Sequence, residues 1–271
     1  MPAQEPNAVV VQKIEVAPGL MILRVAPDGW PLPDFSPGQF VTLGLPGAAP
    51  RCAVCEPEEQ PAPADKMIVR AYSIASSSVA LEYLEFFITL VRSGALTPRL
   101  FALRVGDRLW LSPKVTGLFT MDDVPADMNL LLIATGTGLA PYMSMLRTHL
   151  TAGEPRRFAV IHGARHSWDL AYRSELVTLQ RICRNFAYVP VVSRPQDEPT
   201  AWAGAMGYVQ DVWTRRTLDE AWKLRPAPEN THVFLCGNPG MVEKMQDILT
   251  AEGFKKHLRK EPGQIHVEKY W

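Results

Sequence analysis

At 271 residues the chain exceeds what one hydrophobic core usually organises, and two domains of about 100–150 residues each are expected. Hydrophobic residues make up 47% and charged residues 21%, a balance that argues against extended disorder. Lys plus Arg and Asp plus Glu both number 28, so global charge favours neither nucleic acid nor a membrane surface, and electrostatic docking must use a local patch.

The first half reads as short β-rich segments: Val9 to Val16, Leu20 to Ala26, Gln39 to Leu45, Met67 to Ala75, Tyr83 to Arg92 and Arg108 to Ser112. Pro18-Gly19, Asp28-Gly29, Pro37-Gly38 and Gly106-Asp107 stand between them, the punctuation of an antiparallel sandwich or barrel. This half is expected to be all-β. The interval Pro46 to Asp65 breaks the alternation, is rich in Pro, Ala and Glu, and reads as an exposed, mobile excursion between strands. It carries Cys52 and Cys55 as a lone C-x-x-C. With Cys183 and Cys236 these are too few and too scattered for a disulfide framework, and a second pair of metal ligands is missing, so no metal is expected. Met1 to Asn7 is polar and no apolar run approaches spanning length, so neither a targeting segment nor a membrane span is expected, and a cytoplasmic location is.

From Asn129 the pattern changes. The continuous apolar run Asn129 to Thr135 suits a strand buried on both faces, and Tyr142 to Leu150 suits a helix. Alternation continues with a strand at Phe158 to His162, a helix at Leu170 to Arg181, a strand at Phe186 to Ser193, a helix at Val209 to Trp222, a strand at His232 to Cys236 and a helix at Gly240 to Ala251. Strands alternating with helices imply an α/β domain with a parallel sheet. The tail, Ile265 to Trp271, reads as a final extended segment, and the domains are set at 1–125 and 126–271.

Two motifs carry chemistry. Thr135-Gly136-Thr137-Gly138-Leu139-Ala140-Pro141 joins a buried strand to a helix; its glycines allow a tight turn and close approach to a pyrophosphate, and Pro141 fits a first helical turn. Taken alone, such a loop can also be a plain strand-to-helix turn. In the first half, Arg70-Ala71-Tyr72-Ser73 ends a strand with a cation, an aromatic ring and a hydroxyl, groups able to clamp a phosphate, stack on a flavin and donate a hydrogen bond.

In this order the two motifs resemble those of the ferredoxin–NADP reductase family, and the resemblance runs over nearly the whole chain, including Glu85-Phe86-Phe87, Gly94-Ala95-Leu96-Thr97, Cys236-Gly237-Asn238-Pro239 and the ending Glu268-Lys269-Tyr270-Trp271. It implies an N-terminal antiparallel β-barrel that binds FAD and a C-terminal α/β parallel-sheet domain that binds NADP(H). By that likeness FAD is held by Arg70, Ala71, Tyr72, Ser73, Phe87 and the loop Gly94, Ala95, Leu96 and Thr97, with Tyr270 on the flavin and Trp271 against the adenine end. NADP is held by Thr135, Gly136, Thr137, Gly138, Cys236 and Gly237, with Arg165, Ser193 and Arg194 for the 2′-phosphate and Tyr208 for the adenine. Ser73, Cys236, Glu268 and Tyr270 are the implied catalytic set. A basic residue expected just before Tyr208 is absent, the local run being Ala205-Met206-Gly207.

The likeness implies a monomeric enzyme passing electrons between NADPH and ferredoxin or flavodoxin, with Lys255, Lys256, Arg259 and Lys260 as a basic cluster suited either to an acidic carrier or to plain solvation. Two alternatives stay open: an NAD(P)H-dependent reductase component serving an oxygenase or cytochrome, and a non-catalytic redox-sensing flavoprotein. No C-x4-C-x2-C pattern for a fused iron–sulfur cluster exists in the chain.

Overall fold

The computed structural model describes residues 5–269. The chain divides into two compact units, one running to Thr120 and including Ala140–Thr148, the other made of Met121–Leu139 and the chain from His149 onward.

The N-terminal unit is built on six antiparallel strands: β1 (Ala8–Ala17), β2 (Leu20–Pro27), β3 (Phe40–Pro46), β4 (Met67–Ser73), β5 (Leu84–Thr89) and β6 (Arg108–Leu111), laddered in the order β4-β3-β6-β1-β2-β5. The β1–β2 hairpin turns at Gly19, whose φ of +74° is open to glycine at little cost. Beyond β4 the Ala75 N–H donates to the Glu85 carbonyl of β5 at 2.8 Å, bringing the two outer strands together and curling the sheet towards a barrel. Its interior is filled by Leu23, Leu43, Phe86, Leu100 and Leu109.

Two expectations for this half are corrected. It is not all-β, since Thr97–Ala102 forms a helix, α1. Six residues with Pro98 in the first turn are too short to show helical periodicity in sequence. The excursion Pro46–Asp65 is tied down rather than free: Gly47 and Ala48 donate to the carbonyls of Lys66 and Ala64, and Glu58 is gripped by Arg99 at 2.7 Å and Arg51 at 2.9 Å. Arg99 also donates to the carbonyls of Ala95 and Gly47. A cation inside a helix of this size would be costly without such partners.

The C-terminal unit is a parallel sheet of β7 (Asn129–Thr135), β8 (Phe158–Ala164), β9 (Phe186–Val192), the short β10 (Ala205–Met206), β11 (Thr231–Gly237) and β12 (Ile265–Lys269), ordered β10-β9-β8-β7-β11-β12. Leu130 to Ala134 are all fully buried, which is why this strand is continuously apolar. The helices are α2 (Ala140–His149), which opens with Pro141 in its first turn and is compact with the N-terminal unit, α3 (Arg173–Ile182), α4 (Val209–Thr214), α5 (Thr217–Trp222) and α6 (Pro239–Ala251). The single helix expected over Val209 to Trp222 is two, broken where Arg216 takes a left-handed φ of +58°. No Gly or Pro marks that break, so the sequence conceals it.

Strand order reverses between β7 and β11. In open α/β sheets the crevice beyond the carboxyl ends of such neighbouring strands is where ligands bind. Here those ends are Thr135 and Gly237.

Candidate functional site

In the N-terminal unit, β4 carries Arg70 and Ala71 exposed, Tyr72 half-buried and Ser73 buried at its end. Tyr72 packs edge-on against Phe86, ring centroids 6.4 Å apart, and burial pushes its hydroxyl pKa upward, so it stays protonated. Arg70 donates to its neighbouring Val69 carbonyl at 2.7 Å and has no carboxylate partner among the described residues, which leaves its charge for an anion. Phe87 is buried on β5. Gly94 to Thr97 form a tight turn into α1: Gly94 N–H donates to the Val91 carbonyl at 2.8 Å, and the Thr97 hydroxyl both accepts from Val91 N–H at 3.0 Å and donates to its carbonyl. Ala95 is half-buried and Leu96 buried, and Leu96 belongs to the same core against which Tyr72 packs. Of the residues expected to hold a flavin nucleotide, Tyr72, Ala95 and Leu96 thus meet at one apolar cluster.

In the C-terminal unit, the loop after β7 and the end of β11 are pressed together. Gly136 has a φ of +54° and Gly237 a φ of +133°, both left-handed positions. A Cβ on Gly138 would collide with the Cys236 carbonyl, and one on Gly237 with the Thr135 hydroxyl, so glycine is required by close approach of backbones. The Asn238 N–H donates to Thr135 Oγ1 at 2.9 Å, completing the join. Thr137 lies in the same 3-10 turn, Gly136–Leu139. This crowding fits the loop for a pyrophosphate, whose oxygens need exposed backbone N–H groups rather than side chains.

Cys236 and Glu268 sit side by side on parallel strands, Cys236 fully buried and its Sγ 4.0 Å from Glu268 Oε2. At the far side of the sheet the loops after β8 and β9 adjoin. Ser193 N–H donates to the Ala164 carbonyl at 3.0 Å and Arg194 N–H to that of Arg165 at 2.9 Å. Both arginines are exposed, and neither has a carboxylate partner among the described residues. Tyr208 is 67% exposed and precedes α4, its N–H donating to Asp211 Oδ2 at 2.7 Å. Met206, in the run before Tyr208 that lacks a basic residue, is 51% exposed. Tyr270 and Trp271 lie outside the described residues.

A family model for the oxidoreductase NAD-binding domain matches residues 132–247. The chain is 32% identical over 243 residues to the flavodoxin/ferredoxin–NADP reductase of Buchnera aphidicola, covering 89% of this chain and 90% of that one. It is also 32% identical to the ferredoxin–NADP reductase of Pseudomonas aeruginosa, covering 87% and 86% respectively. The chain belongs to the ferredoxin/flavodoxin–NADP reductase family. The fold agrees: a ferredoxin NADP+ reductase from Neisseria gonorrhoeae, solved with bound FAD and NADP, superposes with a TM-score of 0.81 over 97% of each chain at 24% identity.

Within this reductase family fold, two features escaped sequence reasoning. His162 stands on β8 between Ala134 and Pro190 and is fully buried; burial lowers its pKa to about 4, and the backbone of Gly136 pulls weakly the other way without a hydrogen bond of ordinary length. A neutral imidazole therefore lies next to the glycine loop after β7, where the sequence shows only one more residue of an apolar strand. Glu85 is buried on β5, holding Arg24 and Arg147 at 2.7 Å each, while Arg147 also donates to the Ala75 carbonyl at 2.8 Å. In sequence Glu85 looks like the outward residue of an alternating strand; nothing local announces its partners, which lie 61 and 62 residues away.

Proposed function

We propose that this chain is an FAD-containing oxidoreductase that passes electrons between NADP(H) and a separate one-electron carrier, ferredoxin or flavodoxin. The observation that carries the reading is the meeting of Gly138, Cys236 and Glu268 at the strand-order reversal, in a chain belonging to this reductase family. In this reading residues 1–125 form the FAD-binding domain and 126–271 the NADP-binding domain.

Bound FAD supplies the exchange between two-electron hydride chemistry and single electrons. The protein's part is positional. Arg70 and the turn Gly94 to Thr97 hold the flavin nucleotide's phosphates, Tyr72 and Phe87 wall the flavin, and Ser73 offers a hydroxyl to it. Thr135 to Gly138 and Gly237 present backbone to the NADP pyrophosphate, Cys236 supplies a small apolar wall with a thiol, and Glu268 keeps a carboxylate beside it. Ser193, Arg165 and Arg194 take the 2′-phosphate and Tyr208 the adenine. Tyr270 and Trp271, outside the described residues, are assigned to the flavin site in this reading. Lys255, Lys256, Arg259 and Lys260, all exposed in the connection between α6 and β12, attract an acidic carrier. No helix among the described residues is long and apolar enough to cross a membrane. We place the enzyme in the cytoplasm as a monomer.

The test is to denature purified protein and identify the released flavin, then to follow anaerobic reduction of ferredoxin and flavodoxin by NADPH. FAD release and carrier reduction are expected; FMN release, or a protein colourless after FAD is supplied, rejects the reading. Arg194→Ala removes a charge-assisted contact of about 1.5–3 kcal/mol, so NADPH use is expected to fall by about one to two orders of magnitude with NADH spared. Equal loss with both cofactors would assign Arg194 elsewhere. Equal use of both by the unaltered protein would favour an oxygenase reductase component.

A further inference from the structure

The loops bearing Arg165 and Arg194 meet a second time a few residues further on, and there the joining groups are acids. Glu198 accepts from Ser167 twice, its Oε1 from the backbone N–H and its Oε2 from the hydroxyl, each at 2.6 Å. The His166 ring spans the same gap, with Nδ1 3.1 Å from Asp169 Oδ2 and Nε2 3.3 Å from Asp197 Oδ2. Trp168 lies flat on that ring, centroids 4.4 Å apart and planes 10° from parallel. Ser167 and Asp169 belong to the loop after β8, Asp197 and Glu198 to the loop after β9.

A carboxylate at the end of a strand in a nucleotide-binding sheet ordinarily takes a ribose hydroxyl and repels a 2′-phosphate. Glu198 is only four residues past Arg194, yet neither arginine pairs with it, and both of its oxygens are occupied by Ser167. Short bonds of this kind satisfy the charge locally and fix both loops. Two exposed arginines on independent loops would each have to be ordered when phosphate binds; joined loops are ordered beforehand.

We propose that Glu198 and Ser167, supported by His166 and Asp197, form a specificity-determining clasp that holds Arg165 and Arg194 together for the 2′-phosphate of NADP while turning the Glu198 carboxylate away from it. These four are positioning residues. The inference rests on the reading of Arg165 and Arg194 as 2′-phosphate ligands. Glu198→Ala opens the clasp without removing either arginine. Ser167→Ala removes one of the two bonds to Glu198 and so loosens the same clasp.

The experiment is calorimetric binding of 2′-phospho-AMP and of AMP to the whole purified protein, with thermal melting alongside. Unaltered protein is expected to prefer 2′-phospho-AMP strongly and Arg194→Ala to lose that preference. Glu198→Ala and Ser167→Ala are expected to weaken 2′-phospho-AMP binding by about tenfold, with AMP binding changed less than about twofold. Glu198→Gln, which can still accept from Ser167, is expected to keep most of the preference. Tighter 2′-phospho-AMP binding in Glu198→Ala would show a repelling acid and overturn the clasp; so would an unchanged preference, or a parallel loss for both ligands with a lowered melting point. If Arg194→Ala leaves 2′-phospho-AMP binding unchanged, the phosphate-site reading itself fails and takes the clasp with it.

Discussion

The N-terminal unit buries its charge as paired ions, whereas the C-terminal unit buries titratable groups that stay neutral. In the first, Glu85 is 1% exposed between Arg24 and Arg147, and Glu58 lies between Arg51 and Arg99. In the second, His162 is sealed in the sheet, and His232 and His266 share a hydrogen bond of 2.9 Å between β11 and β12, with His257 stacked on His266 and facing Asp123 at 3.5 Å. A barrel made of short strands leaves backbone groups at its ends that arginines can satisfy, as Arg99 and Arg147 do. A parallel sheet covered on both faces offers no such ends within its strands, and a buried imidazole there must shed its proton.

The comparison breaks most severely at Glu85. Replacing it with Ala removes the buried carboxylate shared by Arg24 and Arg147, and removing one partner of a buried ion pair typically costs about 3–5 kcal/mol. Urea unfolding of Glu85→Ala should show that loss, with Arg24 and Arg147 each costing less because both are partly exposed. A change under about 1 kcal/mol would mean that the arginines are rehydrated and the network is peripheral to stability.

Acid distinguishes the units next. Burial holds His162 at about 4 and His266 at about 3, the latter helped by its neighbours His257 and His232, and it lowers His232 too. Below about pH 6.5 the unfolded chain takes protons that the folded sheet refuses, so this stability is complete above pH 6.5 and drains away as pH falls towards 4 and then 3. For His162 the difference corresponds to about 3 kcal/mol. Glu58 is held below its usual carboxylate range, first by the hydrogen bond from Arg99, and its contribution survives until pH falls below that range. Hydrogen exchange between pH 7 and 4 should therefore open the β7–β8–β11–β12 strands before the barrel, and His162→Leu should flatten the dependence. Barrel strands exchanging first would reverse the assignment.

What the sequence shows follows the same division. The apolar run Asn129 to Thr135 reads correctly because a strand covered on both faces has no other composition, and the tight turn after it reads from its glycines because backbones touch there. α1, the break at Arg216 and the anchoring of Pro46–Asp65 do not read, since each depends on partners far along the chain. The residues expected at the flavin rest on family resemblance alone; strand alternation by itself makes Arg70 and Tyr72 an ordinary edge. Glu198 and Ser167 carry no signal at all, because two loops must fold before they meet.

The smallest effect lies at the start of α6. Asn238 accepts from Gly240 N–H at 2.9 Å and Met241 N–H at 3.2 Å, and Pro239 needs no acceptor, so the helix's first turn is closed by one side chain. The N-terminal unit's α1 lacks this device: Leu96 caps nothing, and the buried contacts of Arg99 hold the helix instead. Asn238→Ala should then cost about 1 kcal/mol, a fall of about 2–4 °C in Tm for a domain of roughly 150 residues. Asn238→Asp keeps the acceptor and adds favourable charge at a helix N-terminus, so it should melt at or slightly above the parent. Because Asn238 also donates its own N–H to Thr135, a bond that survives either substitution, neither variant should move the loop Gly136 to Gly138. Nucleotide affinity reads that directly: if Ala weakens it tenfold while Asp does not, the cap acts on the loop as well as on the helix, and the two must be treated as one element.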